Sequence, residues 1–100
     1  MTKYDIYLAD VPFKETDEHK LRPILILNDA VFVISAMPIT SQGKTGEFQS
    51  EIQEWESAGL TKPSYIVLEP IRIEDRDMVK EKIGTLQPAD IFRLEQKLIK

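Results

Sequence analysis

The chain has 100 residues, 42% of them hydrophobic and 30% charged, which fits one globular domain and leaves no room for a second core. It has no cysteine and one histidine, so a disulfide framework, a zinc–thiolate site and a cysteine nucleophile are excluded and a histidine metal site is disfavoured. The net charge of −4 argues against a broad nucleic-acid-binding face that relies on many basic side chains. With no apolar leader and no membrane-length apolar run, we expect residues 1–100 to form a single cytoplasmic domain.

Three β-strands are predicted in the first 40 residues. Residues 4–11 are rich in aromatic and branched side chains, with few polar ones, which indicates a strand packed on both faces. Pro23 opens a second strand over 24–27, and Asn28-Asp29 is a tight-turn signal. A third strand over 31–37 would complete a hairpin with the second.

The middle of the chain predicts further strands. Residues 40–47 are small, polar and glycine-containing, as in a loop. Residues 48–53 alternate as in a strand but also contain a helical capping-box pattern, and we favour a strand that turns at 54–59. Residues 64–73 form a long apolar strand that Pro70 interrupts, which marks an edge or a bend.

Two helical segments are predicted near the end of the chain. Residues 75–82 are short and charged, and residues 88–99 place Ile91, Leu94 and Leu98 at helical spacing. About five strands with a carboxy-terminal helix indicate a mainly β (α+β) fold, a small and partly open barrel.

Polar side chains at the ends of the predicted hairpin strands are the best candidates for a site. Arg22 lies just before one strand, and Thr40, Ser41 and Gln42 follow its partner. Because the chain reverses between these strands, all four would lie at the open end of the hairpin. A guanidinium with hydroxyl donors suits a phosphate group, although an arginine at a strand entrance also commonly forms a surface salt bridge.

Five segments of the chain, in order, resemble the MazF/PemK (Kid) toxin family. They are YDIYLADVPF at 4–13, LRPILIL at 21–27, PITSQ at 38–42, LEPIR at 68–72 and KIGTL at 82–86. The resemblance implies an SH3-like, CcdB/PemK-type barrel with a carboxy-terminal helix. It also implies a homodimer that cleaves single-stranded RNA without a metal ion or cofactor and is inhibited by an antitoxin protein.

The resemblance also assigns roles to particular residues. Arg22 matches the family's catalytic arginine, Thr40 matches its catalytic threonine, and Glu69 falls where some members have an acidic catalytic residue. Candidate RNA contacts are His19, Ser41 and Gln42. In this scheme the ribose 2′-hydroxyl attacks the adjacent phosphate, with Glu69 as base, Arg22 stabilising the charge and Thr40 donating a hydrogen bond.

The chain also departs from the family pattern. Many members have Gly-Asp where this chain has Tyr4-Asp5, and some have an arginine where it has Val67. Glu69 and His19 also fit as an ordinary surface residue and an ordinary loop residue. A non-catalytic interaction module of the same fold, such as a CcdB-like gyrase-binding toxin or an inactive relic, is the alternative function.

Overall fold

The computed structural model describes residues 1–10, 21–43 and 48–99. In this part of the chain the β-strands are β1 Asp5–Asp10, β2 Leu21–Asp29, β3 Ile34–Thr40, β4 Gln49–Ile52, β5 Ser64–Val67, β6 Ile71–Ile73 and β7 Val79–Thr85. A short 3₁₀ helix, Arg76–Met78, precedes β7, and one α-helix, α1, follows it at Pro88–Leu98. None of the described helices is long and apolar enough to cross a bilayer.

The strands form one antiparallel sheet in the order β4-β5-β3-β2-β1-β7, and β6 pairs with the first half of β3. Because β4 and β7 do not pair in the described residues, the barrel is not closed. The mainly β fold with a carboxy-terminal helix is confirmed, but the described residues form seven strands rather than about five. The predicted strand at 64–73 is two strands, β5 and β6, with Pro70 in the break between them.

The β2–β3 hairpin is longer than the sequence indicated. Arg22 and Pro23 lie inside β2, where Pro23 faces Leu8 of β1. A register shift between Ile26 and Asn28 keeps Asn28 and Asp29 in the ladder. The reversal therefore occurs at 30–33, and the turn predicted at Asn28-Asp29 is wrong.

The helix predicted at 75–82 is wrong for its second half, because a short 3₁₀ helix covers only Arg76–Met78 and residues 79–82 belong to β7. Val79 and Ile83 pack against the two parts of the core, while the charged side chains between them are exposed. Pairing with β1 over its whole length determines the conformation of β7, and a run of charged residues carries no local sign of that pairing.

Both faces of the central sheet are buried, as expected for strands with few polar residues. Leu25 belongs to a cluster that includes Leu94 of α1, whereas its neighbours Ile24 and Ile26 belong to a second cluster on the other face. The predicted helix at 88–99 is confirmed to within one residue. It starts at Pro88, whose missing N–H costs nothing in the first turn.

Tyr4 has a backbone conformation that favours glycine. Its φ is +73°, in the left-handed region where a side chain is strained and glycine is not. Both backbone polar groups of Tyr4 are hydrogen-bonded. Its N–H donates to the Ile26 carbonyl, and its carbonyl accepts from the Leu86 N–H. The Tyr4 ring packs against the core cluster of Leu25, and its hydroxyl donates to Glu95 of α1 at 3.2 Å.

Candidate functional site

A cavity of about 530 Å³ lies at the open end of the β2–β3 hairpin. Five parts of the chain contribute to it: β2, the end of β3, the segment that leads into β5, and the strands β1 and β7. Its lining residues are Leu8, Leu21, Arg22, Pro23, Ile39, Thr40, Ser41, Gln42, Gly59, Leu60, Thr61, Lys62, Ser64 and Ile83. A volume of this size suits a small ligand or a short stretch of a larger one.

The hairpin register places Arg22 near Thr40. Ile24 faces Pro38 across the two strands. Arg22 lies two residues before Ile24 and Thr40 two residues after Pro38, so the same antiparallel register brings Arg22 opposite Thr40. Both residues are half-buried and line the cavity.

The chain after Thr40 is organised by short hydrogen bonds. The Thr40 hydroxyl oxygen accepts from the Gln42 N–H at 3.1 Å, and the Gln42 carbonyl accepts from the Gln49 side chain at 3.3 Å. Because a hydroxyl has two acceptor lone pairs and one hydrogen, Thr40 can accept from Gln42 and still donate to a ligand. Tyr65, opposite Thr40, packs its ring closely against Gly43.

Residues 59–62 form another part of the cavity lining, here called the 59–62 wall, and two glycines bring this wall close to β7. A Cβ on Gly84 would overlap the Ala58 carbonyl oxygen, and one on Gly59 would overlap the Ile83 carbonyl oxygen. Gly59 also has a φ of +95°, which disfavours any other residue there. The two backbones therefore meet at a distance that only glycine permits.

Asp90 of α1 fixes the segment that leads into this wall. Its side chain is 0% exposed, and its two carboxylate oxygens accept from the N–H groups of Gln53 and Glu54 at 3.0 and 2.8 Å. Arg93 pairs with the same carboxylate at 2.8 Å. The turn continues through a bond from the Leu60 N–H to Trp55 O, so α1 is linked mechanically to the cavity wall.

Two of the described residues that line the cavity are charged, Arg22 and Lys62, and both are basic. The exposed acids Glu51, Glu54 and Glu56 are not lining residues. Although the whole chain carries a net charge of −4, this cavity is suited to an anion.

Asp5 does not line the cavity and has a structural role instead. Burial raises the pKa of Asp5, but hydrogen bonds from the Thr85 hydroxyl and the Thr2 N–H, together with Lys82, outweigh it, so the pKa is below its usual value. The lysine ammonium lies 3.3 Å from the carboxylate. The Asp5 group joins β1 to β7 and is held ionised by its neighbours.

The structure brings together four of the predicted site residues, namely Arg22, Thr40, Ser41 and Gln42. Glu69 is not among the lining residues. It is exposed in the connection between β5 and β6, beside the middle of β3. His19 lies outside the described residues.

Sequence reasoning missed the contribution of Thr61, Lys62 and Ser64. The only local signal was a polar Thr-Lys-Pro-Ser segment before a strand, which is typical of any turn. No group of three or more acidic, histidine or cysteine side chains suited to a metal ion occurs in residues 1–10, 21–43 and 48–99.

Comparison with known proteins gives one family and several similar structures. A family model described as "PemK-like, MazF-like toxin of type II toxin-antitoxin system" matches residues 2–100. No curated protein matches the sequence significantly. The Mycobacterium tuberculosis toxin MazF-mt6 superposes with a TM-score of 0.74 at 21% identity, over 94% of this chain and 91% of that one.

Two further structures have the same fold. One is an endoribonuclease in complex with its cognate antitoxin from a mycobacterial species, with a TM-score of 0.74 and 17% identity over 96% of this chain and 88% of that one. The other is MazF from Deinococcus radiodurans, with a TM-score of 0.66 and 20% identity over 95% and 88% of the two chains. At these identities the likeness establishes the fold.

Proposed function

Because the chain belongs to the PemK-like, MazF-like family of toxins of type II toxin–antitoxin systems, we propose that it cleaves single-stranded RNA without a metal ion. The observation that carries this proposal is the cavity that Arg22 and Thr40 line together. Both residues were picked out from the sequence as a phosphate site, and the hairpin register brings them to one place. One of the similar structures is that of an endoribonuclease, which agrees with this chemistry.

The proposed reaction is an intramolecular transesterification. The ribose 2′-oxygen attacks the adjacent phosphorus, the bond to the 5′-oxygen breaks, and a 2′,3′-cyclic phosphate remains. The 2′-hydroxyl proton leaves to a base, and the departing 5′-oxygen takes up a proton. In this scheme Arg22 stabilises the charge on the pentacoordinate phosphate and on the leaving oxygen, and Thr40 donates its O–H to a phosphate oxygen.

The general base stays a prediction. Glu69 is the residue that the family resemblance offers, and it is exposed between Ile66 and Ile71, which face Ile39 and Ala36 of β3. A substrate that reached Glu69 from the cavity would have to run along β3. This assignment would be supported if the Glu69→Gln variant still binds RNA but its cleavage rate no longer shows the pH dependence of the wild type.

We further propose that the protein works as a homodimer and is inhibited by an antitoxin protein. One of the similar structures is named as a complex with its cognate antitoxin. Phe48 before β4 and Phe92 of α1 are 79% and 64% exposed, and each is a large apolar side chain that a protein partner could cover. Sedimentation of the purified chain as a monomer at micromolar concentration would contradict the homodimer.

The direct test is digestion of a defined RNA by the purified protein in the presence of a metal chelator, with cleavage sites mapped by primer extension. Wild-type protein should cut in single-stranded regions and leave 2′,3′-cyclic phosphate ends. Arg22→Ala should lower the rate by about 10²–10³-fold, the usual effect of losing one preorganised donor. Arg72→Ala is the matched control, because it removes an exposed arginine from β6, which pairs with the start of β3 rather than with its Thr40 end.

The same experiment addresses the alternative functions. Equal cleavage by wild type and Arg22→Ala would overturn the site assignment. No cleavage by wild type, together with growth arrest on expression, would favour a non-catalytic toxin. Neither cleavage nor growth arrest would indicate an inactive relic.

A further inference from the structure

Lys62 is a second cation that lines the cavity. It lies in the segment that enters β5, whereas Arg22 belongs to β2. The two cations come from distant parts of the chain, and the fold brings both to the same cavity. A polynucleotide strand presents a negative charge at every nucleotide, so a site for RNA needs more than one such cation.

The ammonium group of Lys62 differs from those of the other described lysines because it is exposed and has no ion pair or hydrogen bond within the described residues. The others have partners, namely the Tyr4 ring for Lys3, the Asp77 carbonyl for Lys80, the Asp5 carboxylate for Lys82 and the Gln49 carbonyl for Lys97. A charge left exposed beside a cavity remains available to a ligand.

The backbone of Lys62 is nevertheless held firmly. Its carbonyl accepts from the Ser64 hydroxyl at 2.8 Å, and Ser64 is buried at the start of β5. On the other side, Leu60 is fixed by its bond to Trp55 and by burial in the core. The anchor is therefore rigid, while the four-carbon stem can adjust to a phosphate whose position is not fixed by base recognition.

We propose that Lys62 binds a second phosphate of the RNA strand, a neighbour of the one at Arg22 and Thr40. This inference rests on the proposed function of the cavity and deepens it. Lys62 would hold the strand without contributing to bond cleavage, because lysine acts as a flexible point charge rather than a fixed bidentate donor. Its loss should raise KM and leave kcat nearly unchanged.

The test measures binding of a fully 2′-O-methylated RNA of mixed sequence, which lacks the attacking hydroxyl, at several salt concentrations. Lys62→Ala should weaken binding about 5–10-fold at low salt and reduce the slope of log K against log salt by about 0.7, the value for one phosphate contact on a single strand. Lys62→Arg should restore most of the affinity, and Lys62→Glu should bind more weakly than Lys62→Ala. Arg72→Ala, which removes the same charge elsewhere, should keep the wild-type slope.

Several results would overturn the inference. An unchanged slope in Lys62→Ala would show that this ammonium touches no phosphate. An equal change in Arg72→Ala would show a long-range effect of net charge. Thermal unfolding of Lys62→Ala should match the wild type because the side chain is exposed; if it does not, Lys62→Gln replaces it in the same comparison.

Failure of the proposed function gives a different result. If wild-type protein leaves unmodified RNA uncut but binds the methylated RNA, the salt slopes still decide the role of Lys62. If wild-type protein binds neither RNA at low salt, both proposals are wrong. If it cuts RNA and needs Arg22 while Lys62→Ala has wild-type KM and slope, only the inference about Lys62 is wrong.

Discussion

The two ends of the β2–β3 hairpin use charge in opposite ways. At the turn end, Asp29 is held between the amino terminus of Met1 at 2.8 Å and Arg76 at 2.7 Å. At the open end, Arg22 and Lys62 line a cavity whose described residues include no acid. Charges at the turn end pair with one another and hold the chain, whereas the described cavity lining at the open end is basic, which suits an external anion.

The turn end also exposes two large apolar side chains. Val31 and Phe32 at the reversal are 79% and 86% exposed. The open end instead presents hydroxyl and amide groups from Thr40, Ser41 and Gln42. The difference favours the open end for the RNA cleavage that we propose, and variants that damage one end and spare the other test this view.

The largest effect is expected from Gly84→Ala, which disrupts the cavity at the open end of the hairpin. The new methyl group would overlap the Ala58 carbonyl oxygen, so β7 and the wall at 59–62 must separate. We expect a loss of about 3 kcal/mol in the free energy of unfolding, at the upper end for overpacking, and a loss of RNA cleavage. Urea denaturation measures the first and the digestion assay the second.

Gly43→Ala is the matched control for this change. A methyl group there would lie 2.5–2.8 Å from the Tyr65 ring, a side chain that can rotate away, whereas at Gly84 the obstacle is backbone. The loss of stability should therefore be smaller than for Gly84→Ala. If the two variants are equally stable, the close approach of β7 to the wall does not hold the cavity together.

The second largest effect is expected from Asp90→Ala, which changes no residue of the cavity lining but removes the hydrogen bonds that hold the segment leading into it. The N–H groups of Gln53 and Glu54 would lose their acceptors, and Arg93 its partner. Buried hydrogen bonds to a charged group contribute about 1.5–3 kcal/mol each, so a total loss of about 2–3 kcal/mol is expected after water replaces part of them. Denaturation in urea gives this value, and cleavage assays should show a raised KM.

Asp75→Ala provides the comparison for Asp90. Asp75 also accepts from a backbone N–H, that of Asp77 at 3.0 Å, but in an exposed turn near β7. Its loss should cost about 1 kcal/mol or less. An equal loss in the two variants would show that the burial of Asp90 is not what supports the wall.

The part of the cavity lining that contains Arg22 and Thr40 could be predicted from the sequence, and the 59–62 wall could not. Arg22 and Thr40 are related by one local hairpin, so strand polarity alone puts them together even though the strand limits were misjudged. Lys62 reaches the cavity through contacts that join distant segments, the Gly59–Gly84 approach and the Asp90 carboxylate. Nothing in a four-residue turn sequence encodes such contacts.

The same difference between local and long-range contacts explains which helices and strands the sequence predicts and which it does not. The helix α1 has its own signals, a first-turn proline and apolar residues at helical spacing, and was placed to within one residue. The strand β7 depends on β1, its partner at the other end of the chain, and was mistaken for a helix. Glu69, His19, the dimer and the antitoxin remain predictions from family resemblance.

A smaller change, Thr40→Val, removes the hydroxyl from the open end and keeps the shape of the side chain. The Gln42 N–H would lose an acceptor, but it is exposed and water replaces it, so stability should fall by less than about 1 kcal/mol. RNA cleavage should fall by about 10–100-fold because a hydrogen bond to the phosphate is lost. Thr40→Ser should retain most of the activity, and equal activity of the valine variant would remove Thr40 from the site.

The smallest effect is expected at the turn end, from Arg76→Ala. Hydrogen bonds from Arg76 and then from the amino terminus hold the pKa of Asp29 well below its usual range. A carboxyl whose pKa is lowered in the folded state stabilises the protein above its unfolded pKa of about 3.9, and this contribution disappears as the pH falls through the folded pKa. Because the pair is exposed, the effect at neutral pH should be small and should weaken further in high salt.

Arg76→Ala should therefore be slightly less stable than wild type at pH 7, and the difference should shrink as the pH falls below about pH 4, where Asp29 of the variant is protonated first. Denaturation curves at pH 7 and pH 3 measure both values. The variant should cleave RNA at the wild-type rate, since Asp29 faces Ile34 at the far end of β3, six residues or about 20 Å along the strand from Thr40. A large loss of cleavage in this variant, with its fold intact, would show that the two ends of the hairpin act together and that the separation of structural from functional charge does not hold.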